Sequence, residues 1–390
     1  MFARPFAMAK AADVVKDLWA FAATYLPVNL DRLALETGAM VRLREFESTE
    51  QLVRLLLLYA STNSFRVTSE LARASGLVEV APEAIFYRLR KSEGLLEAIL
   101  TGLLDKLNAP TGFKLMTIDG TSLSGPASKG TDWRVHVGYD PIRGVPCSVS
   151  LTDAHGGENL RRHPLKPGWF VLADMAYGTP RNVHAAFMAG SDFLIRVPQK
   201  NIRLLGASGN PVNWKTLAEQ VPTTGPVSFQ LQMPVPPDGV PSGWKTKDAI
   251  ACHPVRLIGI RNNAGIVVWL LTNQSLEGLT DEKACEFYRV RWQVELLFKR
   301  LKSLGDLDVL NSREGPTARA ALLAKLILLV LTNLISDEEQ AFSPYGYKIL
   351  EKGPQPLARI RMRPQATHRM PATHNSKQKT TPRTASVLPT

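Results

Sequence analysis

The sequence predicts an α/β protein in which an all-α N-terminal domain precedes a sheet-containing core that is interrupted by a β-rich insertion. Three observations predict this class. Apolar residues recur at helical spacing up to about residue 108, short strand-like runs begin near Phe113, and helical spacing returns at Asp281. With 390 residues, of which 45% are hydrophobic, the chain has enough apolar material for a sizeable core and is long enough for two or three structural units.

Charge is distributed unevenly along the chain. There are 47 Lys and Arg residues against 35 Asp and Glu, for a formal net charge of +12. This balance favours a polyanionic partner such as nucleic acid or an anionic membrane surface. Residues 341–390 carry nine Lys and Arg against Glu351 alone, which leaves a net charge of only about +4 for the rest of the chain. This basic, Pro-rich tail is expected to be disordered.

The cellular compartment is predicted from cysteine usage and from apolar segments. Cys147, Cys252 and Cys285 are widely separated and odd in number, so they form neither a disulfide framework nor a zinc site. Charged residues interrupt the N-terminus, which therefore lacks a signal-peptide pattern. The longest apolar segment, 320–331, contains Lys325 and is shorter than the roughly 20 residues that cross a bilayer. We expect a cytoplasmic protein in which this segment is a buried helix.

Residues 1–108 are predicted to form the all-α unit. Within it, a helix at 68–74, Gly76 and a second helix at 82–91 have the outline of a helix-turn-helix. The second helix carries side chains that suit phosphate contact, namely Tyr87, Arg88, Arg90 and Lys91. A helical hairpin with a solvated basic face explains the same pattern, so both interpretations stay open.

Residues 109–195 change to a strand-like pattern. Short apolar or alternating runs occur at 114–119, 134–139, 147–151 and 169–173. A short helix near Leu160 lies between the third and fourth runs, and a helix at 180–189 follows the fourth. Three strands, a helix, a strand and a helix is the element order of an RNase H-like core.

Residues 196–275 form the predicted β-rich insertion, in which the plainest strands are 227–232, 255–260 and 266–272. Residues 276–340 return to helix at 281–303 and 317–335. We interpret them as the second part of the interrupted core.

The helix at 281–303 carries a group of chemically distinct side chains. Counted from Tyr288, Arg291, Glu295 and Lys302 lie at offsets of 3, 7 and 14, which places all four within an arc of about 60° on a helix. A carboxylate among cations can hold a divalent metal while the cations bind phosphate. The alternative is a surface helix in which Arg291 and Glu295 form an ordinary i,i+4 pair.

Two acidic residues follow buried strands in the predicted core. Asp119 ends the apolar run of LMTIDGT, and Asp174 ends that of WFVLADMAYG. A carboxylate at such a position is costly unless it meets a cation or hydrogen-bond donors, so the two together predict a shared metal site. Alternatively, each aspartate caps the turn that follows it.

These residues together resemble those of the DDE transposases of bacterial insertion sequences, in the branch with a β-rich insertion before the catalytic glutamate. The resemblance covers about residues 40–335. It rests on Asp119 followed by Gly-Thr, on Asp174 followed by a small residue and an aromatic one, and on the Tyr-x2-Arg-x3-Glu-x6-Lys helix that ends with Lys302. The stretch LTDAHGGENL, which contains His155 and Glu158, also resembles the segment after the third strand of this family.

The resemblance implies metal-dependent DNA strand cleavage and strand transfer. Asp119, Asp174 and Glu295 would be the catalytic residues and would bind two Mg²⁺ ions, for which Mn²⁺ can substitute. Tyr288 and Arg291, with Lys302, would contact phosphates at the transposon end. The family often forms a hairpin intermediate.

The resemblance also implies the partners. They are double-stranded DNA, as terminal inverted repeats and as target, and a second copy of the chain in a synaptic homodimer. The helical unit would bind DNA ends, and the protein would be nucleoid-associated. Trp269 is the candidate for stacking on a flipped base, although core packing is the favoured role for it. Isolated histidines such as His136 and His163 are expected to be structural.

Two other functions remain open from the sequence. One is a catalytically silent, transposase-derived DNA-binding protein, which the unusual tail favours and the three acidic residues disfavour. The other is a metal-dependent nuclease that cuts without joining.

Overall fold

The structure is a computed structural model that describes residues 19–20, 22–107, 114–199, 202–237, 248–312 and 314–336. The tail predicted at 341–390 lies outside these residues. The described part begins with helices, continues through a mixed sheet and ends with three further helices.

The N-terminal helices form where caps and apolar spacing agree. Helices α1 to α5 span Leu30–Glu36, Thr49–Thr62, Phe65–Ala74, Pro82–Lys91 and Glu93–Leu107. The hydroxyls of Ser48 and Ser64 accept N–H groups in the first turns of α2 and α3, and Pro82 begins α4. The two helices expected at 68–74 and 82–91 are thus confirmed as α3 and α4.

Eight strands form a single mixed sheet. Strands β1 to β8 span Lys114–Leu123, Trp133–Asp140, Val145–Asp153, Trp169–Ala173, Asp192–Arg196, Val227–Val235, Ala251–Arg261 and Val267–Thr272. Their order is β3-β2-β1-β4-β5-β8-β7-β6. β1 pairs antiparallel with β2, and β2 with β3, whereas β4 is parallel to both β1 and β5. The first five strands therefore form the predicted RNase H-like core.

The β-rich insertion extends this core sheet. β8 pairs antiparallel with β5, and β7 and β6 follow it outward. The sequence predicts the three strands but not their attachment, because strand pairing between distant segments leaves no local signal. Helix α7, Trp214–Gln220, is an element that the sequence pattern does not predict.

Helices cover both faces of the sheet. α6, Pro180–Met188, packs on one face together with residues of α7. The other face is covered by α8, Asp281–Val290, and α9, Trp292–Gly305. The N-terminal helices and α10, Gly315–Ser336, share an apolar core with α9 and with buried residues of β1 and β2.

Helix α10 is the apolar segment that the sequence singles out. Its residues Gly315–Thr332 are long and apolar enough to cross a membrane by length and composition, but 67% of them are buried inside the protein. It packs against α2, α4 and α5. Within it, the buried Lys325 ammonium donates to the carbonyl oxygens of Asp306 and Val309. The prediction of a buried helix is confirmed.

Arg256 ties the insertion to the first turn of α8. Its side chain is 1% exposed on β7, and its guanidinium contacts the carboxylate of Asp281, the first residue of α8. It also donates to the carbonyl oxygens of Gln274, at 3.0 Å, and Leu279. The start of α8, and with it the segment that carries Tyr288, is therefore fixed against the sheet.

We expect Arg256→Ala to lower the free energy of unfolding by about 3 kcal/mol, because it leaves Asp281 and two carbonyl groups without their buried partner. Urea denaturation measures this change. Arg32→Ala is the control, since the Arg32–Glu36 pair is exposed and its loss should cost under about 1 kcal/mol. Equal losses in the two variants would contradict an anchoring role for Arg256.

Candidate active site

Asp119 lies within β1 and not at its end. The strand continues to Leu123 in antiparallel pairing with β2, so the expectation that Asp119 ends a strand is wrong. The parallel pairing with β4, however, stops at Ile118 opposite Ala173. Asp119 is therefore the first β1 residue beyond the point where β1 and β4 separate.

Asp174 is the first residue after β4, which makes it the neighbour of Asp119 across the two strands. Its Oδ1 accepts the backbone N–H of Ala176 at 2.9 Å and caps the 3₁₀ turn Met175–Tyr177. The alternative prediction that Asp174 caps the following turn is thus confirmed. The cap leaves the second carboxylate oxygen available for another contact.

The helix expected at 281–303 is interrupted at Arg291. α8 ends at Val290 and α9 begins at Trp292. The N–H of Arg291 bonds to the carbonyl of Tyr288 at 3.1 Å, and its own carbonyl accepts the N–H of Val294 at 3.2 Å. These i,i+3 bonds tighten the chain locally. The motif is therefore divided between two helices.

Arg291 bridges two of the predicted catalytic carboxylates. Its Nη1 lies 3.7 Å from Oδ2 of Asp119, and its Nη2 donates to Oε1 of Glu295. Asp174 lies beside Asp119, because each directly follows the last paired residue of its strand, Ala173 and Ile118. The structure therefore brings Asp119 and Glu295, which lie far apart in the sequence, to one guanidinium, and Asp174 follows β4 beside Asp119.

The electrostatics of Asp119 reflect this arrangement. Burial raises the pKa of its carboxyl to about 6, and the negative charges of Asp174 and Glu295 contribute to the rise. The N–H of Gly120, which donates to Oδ1 at 2.8 Å, and the charge of Arg291 oppose it. The net rise means that burial and the neighbouring carboxylates together outweigh the Gly120 hydrogen bond and the charge of Arg291.

The three carboxylates suit a divalent metal in chemistry but are not yet arranged around one. Within the described ranges, no three Asp, Glu, His or Cys side chains lie close enough to share an ion. Arg291 stands between Asp119 and Glu295 and neutralises them instead. Carboxylate oxygens are the ligands that hard divalent ions such as Mg²⁺ prefer, so the three side chains suit a divalent metal in donor type.

Tyr288 and Lys302 differ in how close they come to this group. Arg291 Cζ is 5.7 Å from the centre of the Tyr288 ring. Burial raises the pKa of the Tyr288 phenol to about 12, although Arg291 and Arg196 lower it. Lys302 is half-buried in the last turn of α9, two turns beyond Glu295. Tyr288 thus contacts Arg291 within the site, whereas Lys302 lies farther along α9.

Arg196 is a candidate that sequence reasoning missed. It ends β5, and Ile195 pairs with Ala173, so Arg196 lies beside Asp174 in register. Its side chain is exposed at the carboxyl end of β5. In the sequence, Arg196 is simply an arginine at the end of an apolar run. Its position next to Asp174 can be recognised only when the pairing of β5 with β4 is known.

Trp269 does not face the site. It is 2% exposed and packs edge-on against Trp214, with ring centroids 5.5 Å apart. Gly259 lies opposite it on β7, where a Cβ atom would come within 2.7 Å of its ring. Core packing is confirmed, and the proposed stacking on a flipped base is wrong.

The basic side chains of α4 are partly engaged within the protein. Arg88 lies 3.4 Å from Glu45 and over the ring of Phe46, and Arg90 pairs with Glu314 at 2.9 Å. Other side chains of the same region stay exposed and line a groove between α4 and the loop that follows α1, namely Tyr87, Lys91, Arg42 and Arg44. The phosphate-contact face expected on α4 thus includes cations of the preceding loop.

The fold and the site together define a class of protein. Strand order β3-β2-β1-β4-β5, with aspartates on β1 and after β4 and a glutamate on the helix after the insertion, is an RNase H-like core with an acidic site. Residues 111–331 match the family model described as a transposase DDE domain, and the chain belongs to this family.

Named relatives agree with this assignment. The transposase for insertion sequence element IS421 of Escherichia coli is 28% identical over 346 residues, which cover 82% of this chain and 93% of that protein. The putative transposase InsL for IS186A of Escherichia coli K12 is 28% identical over 345 residues, with the same coverage. Among solved structures, a piggyBac transposase synaptic complex with hairpin DNA has a TM-score of 0.48 and 10% identity, covering 84% of this chain and 77% of that one.

We expect Asp119→Asn to stabilise the metal-free protein at neutral pH. A carboxyl whose folded-state pKa is raised from 3.8 to about 6 disfavours folding once it ionises, by about 2 to 3 kcal/mol. The wild type should therefore lose stability relative to the variant as the pH rises from about 4 to 6, with no difference below about pH 4. Urea denaturation in EDTA at several pH values measures this.

Asp105→Asn is the matched control, because Asp105 is exposed on α5. We expect it to change stability little at any of these pH values. If Asp119→Asn also changes the free energy of unfolding little at every pH, ionisation of Asp119 does not destabilise the folded protein.

Proposed function

We propose that this chain is a DNA transposase that cleaves and joins DNA strands at the inverted repeats of an insertion sequence, with Asp119, Asp174 and Glu295 as its catalytic residues. The observation that carries this proposal is the meeting of Asp119 and Asp174 in adjacent register, with Glu295 linked to Asp119 through Arg291. Membership of the transposase DDE family supports it.

The same three carboxylates would hold two Mg²⁺ ions. Bound divalent ions would lower the pKa of an attacking water or 3′-hydroxyl and stabilise the leaving oxygen. The raised pKa of Asp119 is consistent with this assignment, because burial and two neighbouring carboxylates disfavour its charged form and a bound cation would favour it. The protein itself contributes the spacing of Asp119 and Asp174, which the β1 and β4 pairing sets.

Arg291 would exchange its partners when DNA and metal bind. A guanidinium binds carboxylates and phosphates with the same planar fork, so a metal that takes over Asp119 and Glu295 frees Arg291 for a DNA phosphate. Tyr288 lies beside it, and Lys302 continues the basic surface along α9. These three residues would contact the backbone of the transposon end.

We expect Asp119→Asn, Asp174→Asn and Glu295→Gln each to reduce strand cleavage and joining by at least about 1,000-fold without weakening DNA binding. The assay follows labelled inverted-repeat duplexes, intact or pre-cleaved, in Mg²⁺ and in EDTA. Glu286→Gln is the control, because Glu286 is an exposed carboxylate on α8. Its activity should equal that of the wild type.

The products of this assay separate the alternatives. Joining of pre-cleaved ends to target DNA supports the transposase, and cleavage without joining supports a metal-dependent nuclease. DNA binding without either reaction would contradict the proposal and favour a silent binder.

We further propose that the groove between α4 and the loop after α1 binds the DNA end, and that two chains act together because an element has two inverted ends. Arg42, Arg44 and Lys91 have no acidic partner among the residues that the structure describes. The Tyr87 side chain is 60% exposed among them. Exposed cations around an aromatic ring suit a phosphate backbone.

Arg42→Ala combined with Lys91→Ala should weaken end binding and reduce the slope of log K against log salt by about 2, since each lost phosphate contact removes about 0.9. Fluorescence anisotropy over a salt series measures this slope. The matched control removes Arg32 and Arg66, two cations that each pair with a glutamate one turn away. An equal loss of slope in the control would mean that only total charge matters.

A further inference from the structure

Two apolar side chains are exposed on the loop that follows α1. Val41 is 67% exposed and Leu43 is 48% exposed. They alternate with Arg42 and Arg44, which are also exposed. We call these four consecutive residues, 41–44, the VRLR loop. Its arginines already belong to the phosphate contacts proposed above, whereas Val41 and Leu43 have no role in them.

Both ends of the VRLR loop are anchored in the helical core. Met40 precedes it, is 6% exposed and donates its N–H to the carbonyl of Ala34 at 3.1 Å. Phe46 follows it, is 2% exposed and has the guanidinium of Arg88 5.1 Å from the centre of its ring. The N–H of Phe46 bonds to the carbonyl of Leu43 at 2.9 Å and closes a turn. Because the loop is held at both ends, binding a partner costs it little conformational entropy.

The surroundings of the VRLR loop are cationic. Arg42, Arg44 and Lys91 line the groove between the loop and α4. Glu45, an acidic side chain of the same groove, is paired with Arg88 at 3.4 Å. Positive charge beside exposed apolar side chains is complementary to a polyanion that also offers apolar surface. Double-stranded DNA has both properties, because its bases are accessible in grooves between two rows of phosphates.

Apolar side chains favour contact with the bases over contact with phosphates. They gain free energy by leaving water against another apolar surface, and on DNA the bases supply that surface through the grooves. Residues 41–44 belong to no helix or strand. A single chain of this kind suits the minor groove, about 6 Å wide, whereas the major groove, about 12 Å wide, admits a helix or a two-stranded ribbon. Proteins that bind the minor groove often combine arginines with apolar side chains that enter between base pairs.

We propose that the VRLR loop enters the minor groove at the element end, where Val41 and Leu43 contact bases and the neighbouring arginines contact the flanking phosphates. Contacts with bases depend on sequence, and contacts with phosphates do not. Val41 and Leu43 therefore help to select the inverted repeat, whereas the cations hold DNA of any sequence. This inference deepens the proposed function and rests on its assignment of DNA ends as the substrate.

Val41→Ser combined with Leu43→Ser should weaken binding to the inverted-repeat duplex about tenfold, an effect within the range of one mismatched base pair. Binding to a scrambled duplex of equal length should change by less than about twofold, because phosphate contacts carry no sequence information. The slope of log K against log salt should stay that of the wild type, since no cation is lost. Fluorescence anisotropy measures both affinities and the slope. Urea denaturation should match the wild type, because both side chains are exposed.

Ile266→Ser combined with Leu276→Ser is the matched control. Ile266 is 63% exposed before β8 and Leu276 is 51% exposed after it, so the control removes similar apolar surface elsewhere on the protein. We expect wild-type affinity for both duplexes. An equal loss of affinity in the control overturns the proposal. An equal loss for the two duplexes in the loop variant also overturns it.

Modified duplexes identify the groove. Inosine in place of guanine removes an amino group from the minor groove, whereas 7-deazaguanine removes the N7 acceptor from the major groove. Scanned along the inverted repeat, inosine should change the wild-type affinity by at least about threefold at one or more positions where 7-deazaguanine has no effect. The loop variant should lose this sensitivity to inosine. Sensitivity to 7-deazaguanine alone, or to neither base, overturns entry into the minor groove.

Two further outcomes separate this inference from its rivals. If the loop variant keeps both DNA affinities but loses association between chains in sedimentation, the loop contacts a second copy and the proposal is overturned. A wild type that binds both duplexes equally also overturns it, while cleavage and joining still decide the proposed function. A wild type that selects the inverted repeat but neither cleaves nor joins contradicts the proposed function, and the loop variant still decides this inference.

Discussion

Burial of the Asp119 carboxylate beside other acidic residues, at the point where β1 and β4 separate, is the constraint on which the site depends. Parallel pairing ends one residue before Asp119 and Asp174, so the two carboxylates are adjacent. Burial and neighbouring charge make ionisation of Asp119 unfavourable. Arg291 offsets part of this cost by contacting both Asp119 and Glu295. The same contacts explain how the metal-free chain brings a distant glutamate to the two aspartates.

The position of Arg291 depends in turn on the insertion. Because β8 and β7 extend the core sheet, Arg256 on β7 can hold the first turn of α8 through Asp281. From that fixed start, α8 runs to Val290 and the chain tightens at Arg291 before α9 begins. The inserted strands thus act on the site from a distance, by determining where the helix that delivers Arg291 and Glu295 begins.

The order of the elements along the chain was predictable from the sequence, because apolar runs and turn residues are local signals, and the three acidic residues were picked out against them as candidates. The contacts of Arg291 were not predictable, because spacing on a helix indicates which face a residue lies on but not which residue it contacts. The boundary between α8 and α9 at Arg291 was not predictable either, because no Gly or Pro marks it. The positions of Arg196 and Trp269 relative to the site could not be predicted either. They depend on the register of β5 and β8, which is set by pairing between segments far apart in the chain.

The surroundings of Asp119 differ from those of the Arg256–Asp281 pair. Burial, with the charges of Asp174 and Glu295, raises the pKa of Asp119, and His136 and Tyr177 each have a buried polar atom without a hydrogen-bond partner among the described residues. The buried pair of Arg256 and Asp281 is different, because carbonyl groups complete its hydrogen bonds and it leaves nothing for a ligand to satisfy. The Arg256–Asp281 pair is complete in its contacts, whereas Asp119 keeps a raised pKa although it shares Arg291 with Glu295, a pattern that is common where a protein binds a ligand.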